Sequence, residues 1–199
     1  MPPPVLFADT FYWVAVLSPR DPYHARVMAW GRYAGATHLI STDEVLTEVL
    51  NWFSGAGPYW RGKAATFVHD LRNDPDVDVL PQTRADFDAA LALYEARPDK
   101  DYSLTDCRSM VALRALGLSE VLTNDHHFTQ EGFTILFPWP ATTPGRFGGC
   151  LAAQPHRPLL SSPPRVNDRV ARRFLFDPTE IAPRRLGLGE PVRSPRLRT

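Results

Sequence analysis

Short apolar runs alternate with helix-length patterns from Val5 to Phe137, and acids stand where the first and fourth runs end. Val5-Leu6-Phe7-Ala8 leads into Asp9-Thr10, and Glu120-Val121-Leu122-Thr123 leads into Asn124-Asp125. Thr37-His38-Leu39-Ile40, the alternating Val77-Asp78-Val79-Leu80 and Thr134-Ile135-Leu136-Phe137 supply three further strand candidates. Between these runs the spacing predicts helices over Phe11 to Leu17 and over Tyr23 to Tyr33, the second capped by Asp21 with Pro22 at its first position. Others are predicted from a capping box Ser41-Thr42-Asp43-Glu44 to about Phe53, over Tyr59 to Leu71, and from Thr83-x-x-Asp86 to the residues before Pro98. Strands separated by helices throughout imply an α/β architecture, a mainly parallel sheet with helices on its faces. Such sheets bind ligands outside the carboxyl ends of their strands, where strand order reverses.

The longest helix signal in the second half opens at Ser103-Leu104-Thr105-Asp106. Ser103 can accept from an orphan amide, and Asp106 stands three residues later, where a capping box places its acid. Leu104, Cys107, Met110, Val111 and Ala115 keep helical spacing, and Gly117 is the natural residue to leave the helix. Asp106 therefore begins the helix that precedes the strand delivering Asp125, so Asp9, Asp106 and Asp125 are expected at one sheet edge. On the helix after Ser41, the residues Val45, Leu46, Val49, Leu50, Trp52 and Phe53 are predicted to fill one arc. Glu48 lies at the border of that arc, whereas Glu44 is accounted for by capping.

Charge divides the chain in two. Residues 1–137 hold 11 Lys+Arg against 18 Asp+Glu, a balance of −7, while 138–199 hold 11 Arg against 4 acids and 11 of the 20 prolines. The second segment has too few apolar clusters to offset its ordering entropy, so the expectation is a folded domain over 1–137 and a Pro/Arg-rich, disordered extension over 138–199. Cys107 and Cys150 stand apart, in neither zinc-ligand nor disulfide-scaffold spacing. Met1-Pro2-Pro3-Pro4 lacks the features of a signal peptide and no apolar run can span a bilayer, which together lead us to expect a soluble cytoplasmic protein with no membrane partner.

Carboxylates that converge without Lys or Arg beside them repel one another, and a fold tolerates this with a cation or with raised pKa values. Oxygen ligands alone suit Mg²⁺ or Mn²⁺, ions that clamp phosphate oxygens and activate water. Phe7-Ala8-Asp9-Thr10, Thr47-Glu48-Val49, Asp101-Tyr102-Ser103-Leu104-Thr105-Asp106-Cys107 and Leu122-Thr123-Asn124-Asp125-His126-His127-Phe128 resemble, in order, the four acidic motifs of PIN-domain ribonucleases, and most of all the VapC-type toxins of bacterial toxin–antitoxin pairs. The resemblance implies a three-layer α/β/α sandwich over residues 5–137 and hydrolytic cleavage of RNA. It implies that Asp9, Glu48, Asp106 and Asp125 hold Mg²⁺ or Mn²⁺, with Thr10, Ser103, Thr105 and Asn124 orienting them or the phosphate. It also implies a homodimer and a small cognate antitoxin that covers the acidic pocket.

Neighbouring residues are weighed against plainer roles. Asp101 is read as a loop acid, because Ser103 already serves as the cap. His126 and His127 are expected to point in different directions and to play supporting parts. Trp52, Phe53, Tyr59 and Trp60 are read first as core, with an antitoxin-docking groove as the alternative. A receiver-type switch and a haloacid-dehalogenase-like phosphatase are excluded, since Phe11 occupies the place of the second acid and no Lys follows Lys100. The rival reading is a non-catalytic PIN fold that binds RNA or a protein.

Overall fold

The computed structural model describes residues 2–138. Its elements follow in the order β1 (Val5–Ala8), α1 (Thr10–Leu17), α2 (His24–Tyr33), β2 (His38–Thr42), α3 (Asp43–Trp52), α4 (Pro58–Arg72), β3 (Val77–Leu80), α5 (Arg84–Ala96), α6 (Leu104–Leu116), β4 (Glu120–Leu122), α7 (His127–Gln130) and β5 (Thr134–Ile135). The strands form one sheet in the order β3-β2-β1-β4-β5, and every neighbouring pair is parallel. Successive strand residues face opposite sides of a sheet. Because Leu6, Phe7 and Ala8 are all buried, as are Val121 and Leu122, helices cover both faces of this one. The α/β architecture read from the alternation of runs is the one observed.

The chain leaves β1 toward β2 and β3 and later crosses back to place β4 on the other side of β1. Strand order therefore reverses between β1 and β4, and their carboxyl ends open the crevice that α/β folds use for ligands. Asp9 follows the last residue of β1, and Asn124 and Asp125 follow β4 closely. Helix α1 is apolar all round, with Tyr12 to Leu17 buried, and so it runs through the core. Its Trp13 is fully buried, donates from Nε1 to Ser41 Oγ at 3.1 Å, and packs against Phe67. Ser41 donates in turn to the Ala8 carbonyl at 2.9 Å, which ties α1, β2 and the end of β1 together.

Helix α6 is built as its sequence predicts. Ser103 accepts from the Asp106 amide, Asp106 accepts from the Ser103 amide, and Gly117 leaves the helix at φ +67°. Thr83 likewise caps α5 through the Asp86 amide at 3.1 Å.

Three local expectations are corrected. Ser41 is not the cap of α3. Pairing with β3 carries β2 through Ser41 and Thr42, the Ser41 hydroxyl is committed to the core, and Thr42 caps the helix by accepting from Val45. Glu44 is thereby released from any capping box, and its carboxylate stands 3.4 Å from Nε of the buried Arg108 on α6. Asp86 approaches the same guanidinium at 3.5 Å, so one cation joins α3, α5 and α6. The second correction concerns Asp21, which accepts from the Tyr23 amide at 2.8 Å in a turn, so that α2 begins only at His24. Third, Leu50 and Trp52 are 38% and 67% exposed, because the core takes only the narrower stripe of Val45, Leu46, Val49 and Phe53.

Phe137 closes the core, 1% exposed among Phe11, Tyr12 and Trp30, and Arg26 covers it by lying over its ring and donating to the Pro138 carbonyl at 2.9 Å. The extension expected from Pro138 onward lies, apart from Pro138 itself, outside the described residues. No helix among the described residues is long and apolar enough to cross a membrane.

Candidate active site

A cavity of about 520 Å³ opens at the β1/β4 reversal and is lined by Asp9, Glu48, Asp106 and Asp125 together. Four elements bring them there: the turn after β1, the middle of α3, the first turn of α6 and the turn after β4. Among the described residues, none that lines this cavity is Lys or Arg.

Each acid has one oxygen gripped by a donor of the protein. Asp9, 5% exposed, accepts from the Thr123 hydroxyl at 2.9 Å. Glu48 accepts from the Thr10 hydroxyl at 2.6 Å. Asp106 accepts from the Ser103 amide at 2.8 Å as half of its capping box, and Asp125 accepts from the His127 amide at 2.8 Å. Asp9 stands at the N-cap position of α1 yet makes no side-chain cap bond, which leaves its carboxylate to the cavity.

The electrostatics are those of an uncompensated cluster. Burial is the main cause that raises the Asp9 carboxyl to about 7, the nearby Asp106 raises it further, and the Thr10 amide and Thr123 hydroxyl pull it down. Asp106 is raised as well, first by burial and then, against its Ser103 bonds, by Asp125 and Glu48. A hard divalent cation relieves both causes, and an all-carboxylate set with hydroxyl and amide supports matches the oxygen preference of such ions. The donor set therefore fits a hard divalent cation.

Of the supporting residues expected from the motifs, Thr10 and Asn124 line the cavity. Ser103 stands off it and acts on Asp106 through the cap. Thr105 makes no hydrogen bond to any of the four acids among the described residues. Asp101 is exposed and outside the cavity, as its reading as a loop acid requires. His126 and His127 do not diverge as expected. Their rings lie 4.5 Å apart, with Nδ1 atoms 3.6 and 3.3 Å from Asp125 Oδ1, since a helix start at this point turns both toward the acid. Asp125, His126 and His127 thereby offer ligand atoms within 4.8 Å of one another, which adds two nitrogens at the edge of the carboxylate set.

Two lining residues escaped the sequence reading. Thr123 accepts from the Asp125 amide at 3.2 Å while donating to Asp9, so it couples the two strand-end acids, and it stands inside a quoted motif. Asp21 brings a fifth carboxylate to the lining, with no motif to announce it.

The PIN domain family model matches residues 6–133. No curated protein matches the chain. Among solved structures it is similar in fold to the Mycobacterium tuberculosis VapC20, a sarcin–ricin loop cleaving toxin, with a TM-score of 0.60 and 20% identity over 67% of this chain and 99% of that one. With its parallel sheet in place and most of the described chain covered by the family match, the protein belongs to the PIN-domain family.

Proposed function

We propose that this chain is a metal-dependent endoribonuclease, the toxin of a type II toxin–antitoxin pair, working with Mg²⁺ and accepting Mn²⁺. The observation that carries this reading is one cavity lined by Asp9, Glu48, Asp106 and Asp125, with no Lys or Arg among the described residues that line it. When bound, the ion supplies an activated water and a clamp on the phosphate oxygens. Asp9, Glu48, Asp106 and Asp125 hold it. Thr123 and Thr10 fix the carboxylates of Asp9 and Glu48, the α6 cap fixes Asp106, and the start of α7 fixes Asp125. Asn124 faces the same cavity and is placed to orient the phosphate. RNA as the substrate is supported by the sarcin–ricin loop cleaving neighbour in fold space. The proposal includes a small cognate antitoxin and a homodimer, which the resemblance of the four motifs implies, and a cytoplasmic site of action. The catalytic unit in this reading is residues 1–137, with 138–199 as an appended arm.

The test is cleavage of a structured RNA by the purified full chain, freed of any partner protein. Cleavage is expected with Mg²⁺ or Mn²⁺, none with EDTA, and none from Asp9→Asn or Asp106→Asn. Activity that survives the chelator, or that both variants keep, overturns the proposal.

A further inference from the structure

The cavity is larger than its acids need. An ion with six waters takes roughly 200 Å³ at about 30 Å³ per water, against about 520 Å³ available. Beside the carboxylates, Asp21 among them, the lining carries the apolar side chains of Phe11, Val14, Pro22, Tyr23 and Trp52. Phe11 and Tyr23 meet edge to face at 4.9 Å, which gives this wall a rigid aromatic floor.

Trp52 is the unusual member. It follows Glu48 by four residues on α3, so it lies about 40° from it around the helix and about 6 Å farther along. Its neighbours Phe53 and Trp60 stack on each other at 5.8 Å, with Phe53 in the core. Trp52 has no aromatic partner among the described residues and stays 67% exposed at the cavity. A ring of that size left in water beside a carboxylate cluster is a surface for a flat, partly apolar group.

Resting on the nuclease reading, we infer that Trp52 and the adjoining Phe11–Tyr23 wall form a subsite for an unpaired nucleobase next to the scissile phosphate. The charge of the site supports this occupant. Among the described residues the lining holds no Lys or Arg to meet the RNA backbone. Within this lining, stacking, which every base can provide through its face, is the source of strand affinity beyond the bound ion. The subsite therefore selects single-stranded or extruded nucleotides over paired ones, because a base inside a duplex cannot present its face to Trp52.

The experiment uses the full chain carrying Asp106→Asn, with Mn²⁺, and two fluorescent single-stranded oligoribonucleotides that differ only by an abasic sugar beside the cleavage position. Trp52→Ala is expected to weaken the intact oligonucleotide about tenfold, a 1.4 kcal/mol effect within the range for one base on one aromatic ring. Trp52→Phe should restore most of it, and the abasic oligonucleotide should bind with the same affinity whether or not the chain also carries Trp52→Ala. Unchanged affinity in Trp52→Ala, which leaves the ring to a protein partner, or an equal loss with both oligonucleotides overturns the subsite. Failure of the chain with Asp106 intact to cleave any RNA overturns the nuclease reading instead, and the two failures are read from separate measurements.

Discussion

Asp9 is a buried acid whose carboxyl lies near 7 rather than near 3.8, and its sign of linkage is fixed by that direction. The folded chain binds a proton there that the unfolded chain has already released, so the contribution of Asp9 to stability is full below about pH 4 and is lost as pH rises through 7. In EDTA, chemical denaturation should show stability falling between pH 4 and 7 by about 4 kcal/mol at most, at about 1.4 kcal/mol per unit. Asp9→Asn should flatten that slope, and an unchanged slope would refute the assignment. Thr10 makes a second prediction at this scale. Thr10→Val keeps the shape of α1 but removes the donor to Glu48, and outer supports of this kind are worth about 10–100-fold in metal affinity or activity. Calorimetric titration with Mn²⁺ should show the loss, with Thr10→Ser close to the parent. The place of Asp9 at a strand end was legible because it follows an apolar run directly, and Thr10 entered the reading through the motif it shares with Asp9. The role of Thr123 was not legible, since a threonine ending a strand carries no mark of the acid it will meet 114 residues away in sequence.

Helix starts show where local reading succeeds and where it stops. Ser103 and Asp106 satisfy each other across three residues, so nothing distant decides that cap. At α3 the same pattern misled, because β3 pairs with β2 as far as Thr42 and claims Ser41 for the sheet. Pairing such as that of Leu39 with Val77 cannot be read from four consecutive residues. The consequence falls on Glu44, which joins α3 to α6 through Arg108. These two helices carry Glu48 and Asp106, so the ion pair helps set the spacing of two acids across the cavity. Glu44→Gln leaves a buried guanidinium short of one partner and should cost about 1–3 kcal/mol in urea denaturation, more than a lost cap. Arg108→Met, which removes the cation and leaves Glu44 buried, should cost at least as much. A Glu44→Gln chain as stable as its parent would show that Asp86 alone satisfies Arg108.

At the scale of the whole molecule, the alternation of runs was enough to give a parallel sheet with covered faces, and the charge division suggested where it ends. The boundary can be tested on Phe137, which fills the space between Phe11, Tyr12 and Trp30 under Arg26. A chain ending at Pro138 is expected to keep the thermal stability and RNA cleavage of the full protein, whereas Phe137→Ala should cost about 3–5 kcal/mol for the cavity it leaves. Aggregation or unfolding of the shortened chain would move the boundary into the arginine-rich segment.

The order β3-β2-β1-β4-β5 also sets a schedule for synthesis. The first acid leaves the ribosome at residue 9, but the strand that flanks it on one side and the hydroxyl that holds it arrive only with residues 120–123. Asp125 comes later still, and Phe137 seals the core after that. A nascent chain therefore carries an incomplete cavity for nearly the whole time its domain is being made, and any amino-terminal fragment that ends before β4 lacks Asp125 and the hydroxyl that holds Asp9.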